Sequence, residues 1–107
     1  MLRRSELEAE LEIAMRLAGL EFVTEYQFRA GRRWRFDFAI PELRIGIECE
    51  GGIWLPRGRH TYPTGYENDI RKYNAAAVDG WKVLRFTRLM IESGEALETI
   101  LEAISKP

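Results

Sequence analysis

The chain has almost no cysteine or histidine: Cys49 and His60 are the only ones among 107 residues. A lone thiol cannot close an internal disulfide. One Cys and one His cannot build a cysteine-only zinc site or a zinc-finger pattern. No apolar run approaches the ~20 residues that a membrane-spanning helix needs. The opening residues, Met1-Leu-Arg-Arg-Ser5, lead into charged amphipathic sequence without the apolar core of a signal peptide, so no export signal is expected. Net charge is scarce too. Lys and Arg number 16 against 17 Asp and Glu, which leaves −1. Attraction to a polyanion must therefore come from how charge is distributed.

What is present fits one folded domain spanning 1–107. Apolar residues make up 46% and charged residues 31% of the chain, neither a disordered nor a membrane composition. Ser5-Glu-Leu-Glu8 has the form of a capping box, and Leu7, Leu11, Ala14 or Met15, and Ala18 follow at helical spacing up to Gly19, a natural C-cap. This predicts a helix over Ser5–Ala18. Phe22–Phe28 alternates like a strand, and Ala30–Arg33 reads as a hairpin turn. Trp34–Ile40 is a second strand, with Trp34, Phe36, Phe38 and Ile40 on one face and Arg35, Asp37 and Ala39 on the other. Pro41-Glu42 ends it. Arg44–Glu50 is a third strand, with Ile45, Ile47 and Cys49 facing one way and Gly46, Glu48 and Glu50 the other. A long loop covers Gly51–Gly65, then a helix over Tyr66–Val78 with Gly80 just beyond it. Trp81–Phe86 is a fourth strand, and Leu89–Ile104 a helix with an interruption near Gly94. Short connections join the first three strands as an antiparallel meander, and the crossover helix brings the fourth in parallel. The fold class is α/β: an αβββαβ core with a mixed four-stranded sheet and a C-terminal helix.

If the aromatics and isoleucines share the main core, Asp37, Glu48 and Glu50 share the other face of adjacent strands. Carboxylates held that close repel one another and lose hydration, a conflict that a divalent cation resolves; all-oxygen ligands suit Mg²⁺. The plainer alternative is a solvated sheet face, common in antiparallel sheets. Glu50-Gly-Gly52 would allow a backbone or a phosphate to approach closely, or is only a turn. His60, between Arg59 and Thr61, is either a proton-transfer group or an ordinary surface histidine. Asp69 and Lys72 share a helix face at i, i+3, the spacing of a surface ion pair. Arg29, Arg32, Arg33 and Arg35 surround the first turn, and Arg57 and Arg59 lie in the long loop, interleaved with Trp34, Trp54, Tyr62 and Tyr66. Arginines and aromatics in this mixture can hold phosphates and stack on bases, or form a solvated basic rim. Cys49 lies mid-strand between two carboxylates, which raise its pKa and argue against a thiol-based hydrolase.

The order and spacing of Arg35-Phe-Asp-Phe-Ala-Ile-Pro41, Ile47-Glu-Cys-Glu-Gly-Gly-Ile-Trp54, Gly58-Arg-His60, Tyr66-Glu-Asn-Asp-Ile-Arg-Lys-Tyr-Asn74 and Gly80-Trp-Lys-Val-Leu-Arg-Phe86 resemble the PD-(D/E)XK nuclease superfamily. Within it they resemble the very-short-patch mismatch-repair endonuclease branch, with its Glu, Asp, His, Asp set, and related homing and small phage-type endonucleases. The resemblance runs from Ser5 to about Thr87. It implies a small Mg²⁺-dependent DNA endonuclease, with Mn²⁺ as a possible substitute. Asp37 would match the metal-binding aspartate, the Cys49 carbonyl the second metal contact, Glu8 the glutamate of the set, His60 the histidine and Asp69 the helix aspartate. Glu48 or Glu50 would complete the metal ligands. Arg33, Arg57 and Arg59 would contact the DNA backbone. The standard motif carries lysine where this chain has Glu50, so Lys72 or His60 must take that role. The mismatch-repair enzymes also carry a structural zinc site whose ligands this chain lacks, so mismatch specificity is not implied. A domain of this size implies a homodimer, a targeting partner protein or weakly specific cutting. The expected location is the cytoplasm of a bacterial or phage-infected cell, with no membrane partner. The competing expectation is a nuclease-like module that binds DNA or protein without cutting.

Overall fold

The computed structural model describes residues 6–50 and 63–106. Helix α1 (Glu6–Leu17) is followed by β1 (Val23–Gln27), β2 (Arg35–Ile40), a 3₁₀ turn at Pro41–Leu43, and β3 (Ile45–Cys49). Then come α2 (Pro63–Val78), β4 (Lys82–Phe86), α3 (Arg88–Ser93) and α4 (Glu95–Ser105). The sheet order is β1-β2-β3-β4. β1/β2 and β2/β3 are antiparallel and β3/β4 is parallel, as the connection lengths predict.

Two helices end in the same way. At the end of α1 the Gly19 N–H donates to the Arg16 carbonyl and the Leu20 N–H to that of Met15; at the end of α2, Gly80 donates to Ala77 and Trp81 to Ala76. Both glycines take left-handed backbone, φ 81° and 83°, which a glycine adopts without steric cost. The second of these turns delivers Trp81 into the core beside Ala76. Gly94 separates α3 from α4, at the predicted interruption. Thr87 caps α3 by accepting from the Met90 N–H, so that helix starts earlier than its apolar pattern suggests. Thr87→Ala should cost about 1 kcal/mol in chemical denaturation.

Helices cover both faces of the sheet. On one face Phe38, Ile40, Ile45, Ile47 and Phe86 pack with Leu7, Leu11 and Met15 of α1, Ile91 of α3, and Ala96 and Ile100 of α4. On the other, Phe36, Ala39 and Trp81 pack with Ala76 of α2, flanked by Tyr26, Phe28 and Val83. This corrects the expectation that Phe36, Phe38 and Ile40 share a face. The side-chain alternation of β2 breaks at Asp37. The ladder with β1 pairs Tyr26 with Phe36 and Thr24 with Phe38, and between them Glu25 takes left-handed backbone, φ 49°. A sheet buried on both sides needs apolar residues of both parities, so alternation alone cannot assign its faces. A second correction concerns α2, which begins at Pro63, so Pro63–Gly65 belongs to the helix and not to the loop. Proline is tolerated in a first helical turn, where its missing N–H has no intrahelical partner to lose. Ser5 and the rest of the predicted loop, 51–62, lie outside the described residues.

Candidate functional site

Asp37 sits where β2 leaves its ladder with β3. The last paired residues are Phe38 and Ile47. Beyond that pair, the Cys49 N–H donates to Asp37 Oδ2 at 2.8 Å. A side-chain carboxylate therefore satisfies a strand amide that a backbone carbonyl would otherwise serve. Glu8 of α1 and Glu25 of β1 converge on the same point. One carboxylate oxygen from each of Glu8, Glu25 and Asp37 lies within 4.8 Å of the others. Burial pushes the Asp37 carboxyl from its ordinary 3.8 up to about 6; the Cys49 N–H opposes this, and Glu8 and Glu25 push it higher. The donors are all hard oxygens from three separate elements. Such a set fits a Mg²⁺- or Mn²⁺-class cation and lacks the nitrogen and sulfur that zinc prefers.

Glu48 and Glu50 are placed differently. Glu48 is buried on the α2 side of the sheet, 7% exposed. Its Oε2 accepts from Lys72 Nζ at 2.5 Å and its Oε1 from the Tyr73 hydroxyl. Burial raises the Glu48 pKa, Lys72 and Tyr73 lower it, and the charge of nearby Asp37 raises it again. Burial, with Glu48 beside it, also raises the Tyr73 phenol well above its ordinary 10. Glu50 accepts from Arg85 at 2.8 Å, and the Arg85 guanidinium lies 4.7 Å from the Tyr73 ring centre. One connected network thus runs Lys72, Glu48, Tyr73, Arg85, Glu50. Among the described residues, the carboxylates that converge closely enough for one cation are Glu8, Glu25 and Asp37, with neither Glu48 nor Glu50 among them.

Asp69 is exposed on α2, while Lys72 turns to Glu48 and buries its side chain to 13% exposure. The arginines around the first turn divide in the same way. Arg29 makes two hydrogen bonds to Asp79, at 3.1 and 2.9 Å, and Arg32 lies over Trp34 at 4.4 Å. Arg33 and Arg35 are exposed. His60, Arg57 and Arg59 lie outside the described residues.

Glu25, Tyr73 and Arg85 were not singled out by the sequence. A hairpin register would have found Glu25, because pairing Tyr26 with Phe36 sets it across from Asp37. Arg85 follows from the parallel register, which sets it beside Glu48. Tyr73 had no such signal beyond following Lys72.

No family model matches the chain, and no curated protein matches it in sequence. Among solved structures the chain is similar to the catalytic domain of the homing endonuclease I-Bth0305I. The TM-score is 0.66 over 92% of each chain, at 14% sequence identity. The chain shares that domain's fold.

Proposed function

We propose that this chain is a small Mg²⁺-dependent DNA endonuclease that hydrolyses phosphodiester bonds, with Mn²⁺ able to substitute. The observation that carries this reading is the convergence of Glu8, Glu25 and Asp37 at one point of a fold shared with a homing endonuclease catalytic domain. Three carboxylates would hold the cation, and the Cys49 carbonyl, beside the amide that Asp37 accepts, would add a neutral oxygen. A bound cation supplies charge neutralisation at the scissile phosphate and lowers the pKa of water. The residues of the chain do the rest. Asp37 is fixed by the Cys49 N–H. Glu8 orients the site from α1. His60, oriented by Asp69, exchanges a proton with the reacting groups, and Lys72 supplies electrostatic stabilisation. Arg33, Arg57 and Arg59 meet the DNA backbone, which makes binding fall with salt. A homodimer or a targeting partner supplies the specificity that a domain this small has little surface to read. The cell compartment that fits is the bacterial or phage-infected cytoplasm. Among the described residues no helix is long and apolar enough to cross a membrane.

A second reading is a nuclease-like module that binds without cutting. It is favoured by Glu50, which stands where the motif lysine would be and is engaged by Arg85. Nicking of supercoiled plasmid with Mg²⁺, Mn²⁺ or EDTA separates the two. The expected result is cation-dependent nicking by the parent, reduced about 1,000-fold or more in Asp37→Ala and His60→Ala. Loss in Asp37→Ala alone assigns the missing lysine's role to Lys72 and not to His60. Absence of nicking by the parent under every cation, with DNA binding retained, favours the binding module.

A further inference from the structure

Glu48 occupies the strand position where a second metal-binding acid is expected, yet its surroundings suit another task. Each of its oxygens already receives a donor from α2: Oε2 from Lys72 at 2.5 Å and Oε1 from the Tyr73 hydroxyl. Asp37 is gathered with carboxylates of α1 and β1, whereas Glu48 is engaged from α2. A carboxylate whose two oxygens are both engaged must give up a hydrogen bond to take a cation, and Lys72 would then be left as a buried charge without its counterion.

Lys72 is also held unusually well for a lysine. Its ammonium lies 5.7 Å from the Phe36 ring centre and 5.3 Å from that of Tyr73, and its side chain is 13% exposed. An ammonium is ordinarily a mobile, strongly hydrated charge. Here an ion pair and two rings fix it beside a carboxylate that feels the charge of Asp37. Buried ion pairs contribute little net stability compared with apolar packing, so this one calls for another explanation. A pre-oriented cation in a poorly solvated place is what stabilises charge developing on a phosphate. Glu50 cannot supply such a cation, and Arg85, whose Nε donates to it at 2.8 Å, lies in a far more solvated place, its side chain 52% exposed.

We propose that Glu48 is the seat of Lys72 and not a metal ligand, that Tyr73 fixes that seat, and that the Lys72 ammonium is the cation that meets the substrate phosphate beside Asp37. The proposal rests on the nuclease reading and deepens it. Lys72 is then the catalytic residue, and Glu48 and Tyr73 are positioning residues acting through it. The Tyr73 hydroxyl carries the prediction most cleanly, because phenylalanine keeps the ring and removes only the donor to Glu48.

The test pairs a metal readout with a kinetic one. Mn²⁺ binding is measured by calorimetry on the parent, Asp37→Asn and Glu48→Gln. Single-turnover nicking of supercoiled plasmid and plasmid affinity are measured on the parent, Tyr73→Phe and Lys72→Met, with circular dichroism as the folding control. Glu48→Gln should bind Mn²⁺ within about threefold of the parent, while Asp37→Asn loses about 100-fold or more. Tyr73→Phe should nick about tenfold more slowly and Lys72→Met about 100-fold more slowly, both with plasmid affinity nearly unchanged. An Mn²⁺ affinity that falls in Glu48→Gln as far as in Asp37→Asn overturns the proposal, since Glu48 is then a ligand. Parental nicking rates in Tyr73→Phe and Lys72→Met overturn it too, since the network is then only structural. A parent that shows no Asp37-dependent Mn²⁺ site removes the nuclease reading itself, and this proposal with it. If Glu48→Gln does not fold, the nicking rates of Tyr73→Phe and Lys72→Met still decide whether the network acts on the substrate phosphate.

Discussion

Gly46→Ala should be among the most destabilising single-methyl additions in this protein, lowering stability by roughly 3 kcal/mol and Tm by on the order of 10 °C or more. A Cβ at position 46 would lie 2.6 Å from two carbons of the Phe36 ring, far inside van der Waals contact. The ring cannot retreat cheaply. Phe36 is fully buried, stacked on Phe28 at 4.4 Å between centroids, and flanked by Trp81 at 5.2 Å. Moving it would also disturb the surface on which Lys72 rests. Gly46 itself is pinned between β2 and β4, opposite Ala39 and Val83, so the backbone cannot yield without breaking two ladders. Domain stabilities are commonly only 5–15 kcal/mol, so the loss is a large fraction of the total. The mechanism makes a further demand. Phe36→Leu removes the ring that the new methyl meets, so the double variant should be clearly more stable than the summed single effects. Denaturant titration of the four proteins checks this. A Gly46→Ala stability within 0.5 kcal/mol of the parent would show that the close approach is not a constraint.

Gly46 also shows where the sequence was readable and where it was not. Its place inside the third strand follows from the Ile-Gly-Ile alternation, but not the ring above it, because that depends on Phe36 turning away from Phe38. Element identities were legible because each helix and strand carries its own periodicity, and Gly19, Gly80 and Gly94 mark boundaries through local backbone chemistry. The topology was legible from connection lengths alone. The two faces of the sheet were not. With apolar residues of both parities in β2, alternation gives no unique assignment, and the break falls at Asp37, whose carboxylate accepts from the Cys49 N–H. The same difficulty runs through the site. Asp37 was picked out by strand alternation and Glu8 through a family resemblance, and the structure brings their carboxylates together with that of Glu25. Lys72 was noted for its i, i+3 relation to Asp69, a spacing on the helix surface. Its actual partner, Glu48, lies 24 residues away and becomes visible only when α2 docks on the sheet.

The pH dependence of the metal-free protein between about pH 3.8 and 6 should be dominated by Asp37, and a divalent cation should reverse it. The Asp37 carboxyl ionises at about 6 in the folded state against an ordinary 3.8. Below pH 3.8 the group is protonated in both states and contributes no difference. Between 3.8 and 6 the unfolded chain has released this proton while the native protein still holds it. Stability therefore falls as pH rises through that window, then levels off. A displacement of about two pH units, discounted for partial solvent exposure, is worth on the order of 2 kcal/mol. Glu48, also raised, adds in the same direction, whereas Asp79, held low by Arg29, acts oppositely at more acidic pH. The Asp37 contribution is isolated by comparison with Asp37→Asn, whose amide oxygen can still accept from the Cys49 N–H. In EDTA this variant should exceed the parent in stability at pH 7 and match it at pH 4. Added Mn²⁺ at about 100 times its Kd should raise the parent by about 2.7 kcal/mol at pH 7. It should do far less at pH 5, where the proton competes for the same oxygens, and nothing for Asp37→Asn. Thermal unfolding across this grid of pH and cation distinguishes a charge-strained cation site from a set of acidic side chains that merely stand near one another. In the second case Mn²⁺ shifts neither protein, and the Asp37→Asn advantage at pH 7 is the only effect that remains.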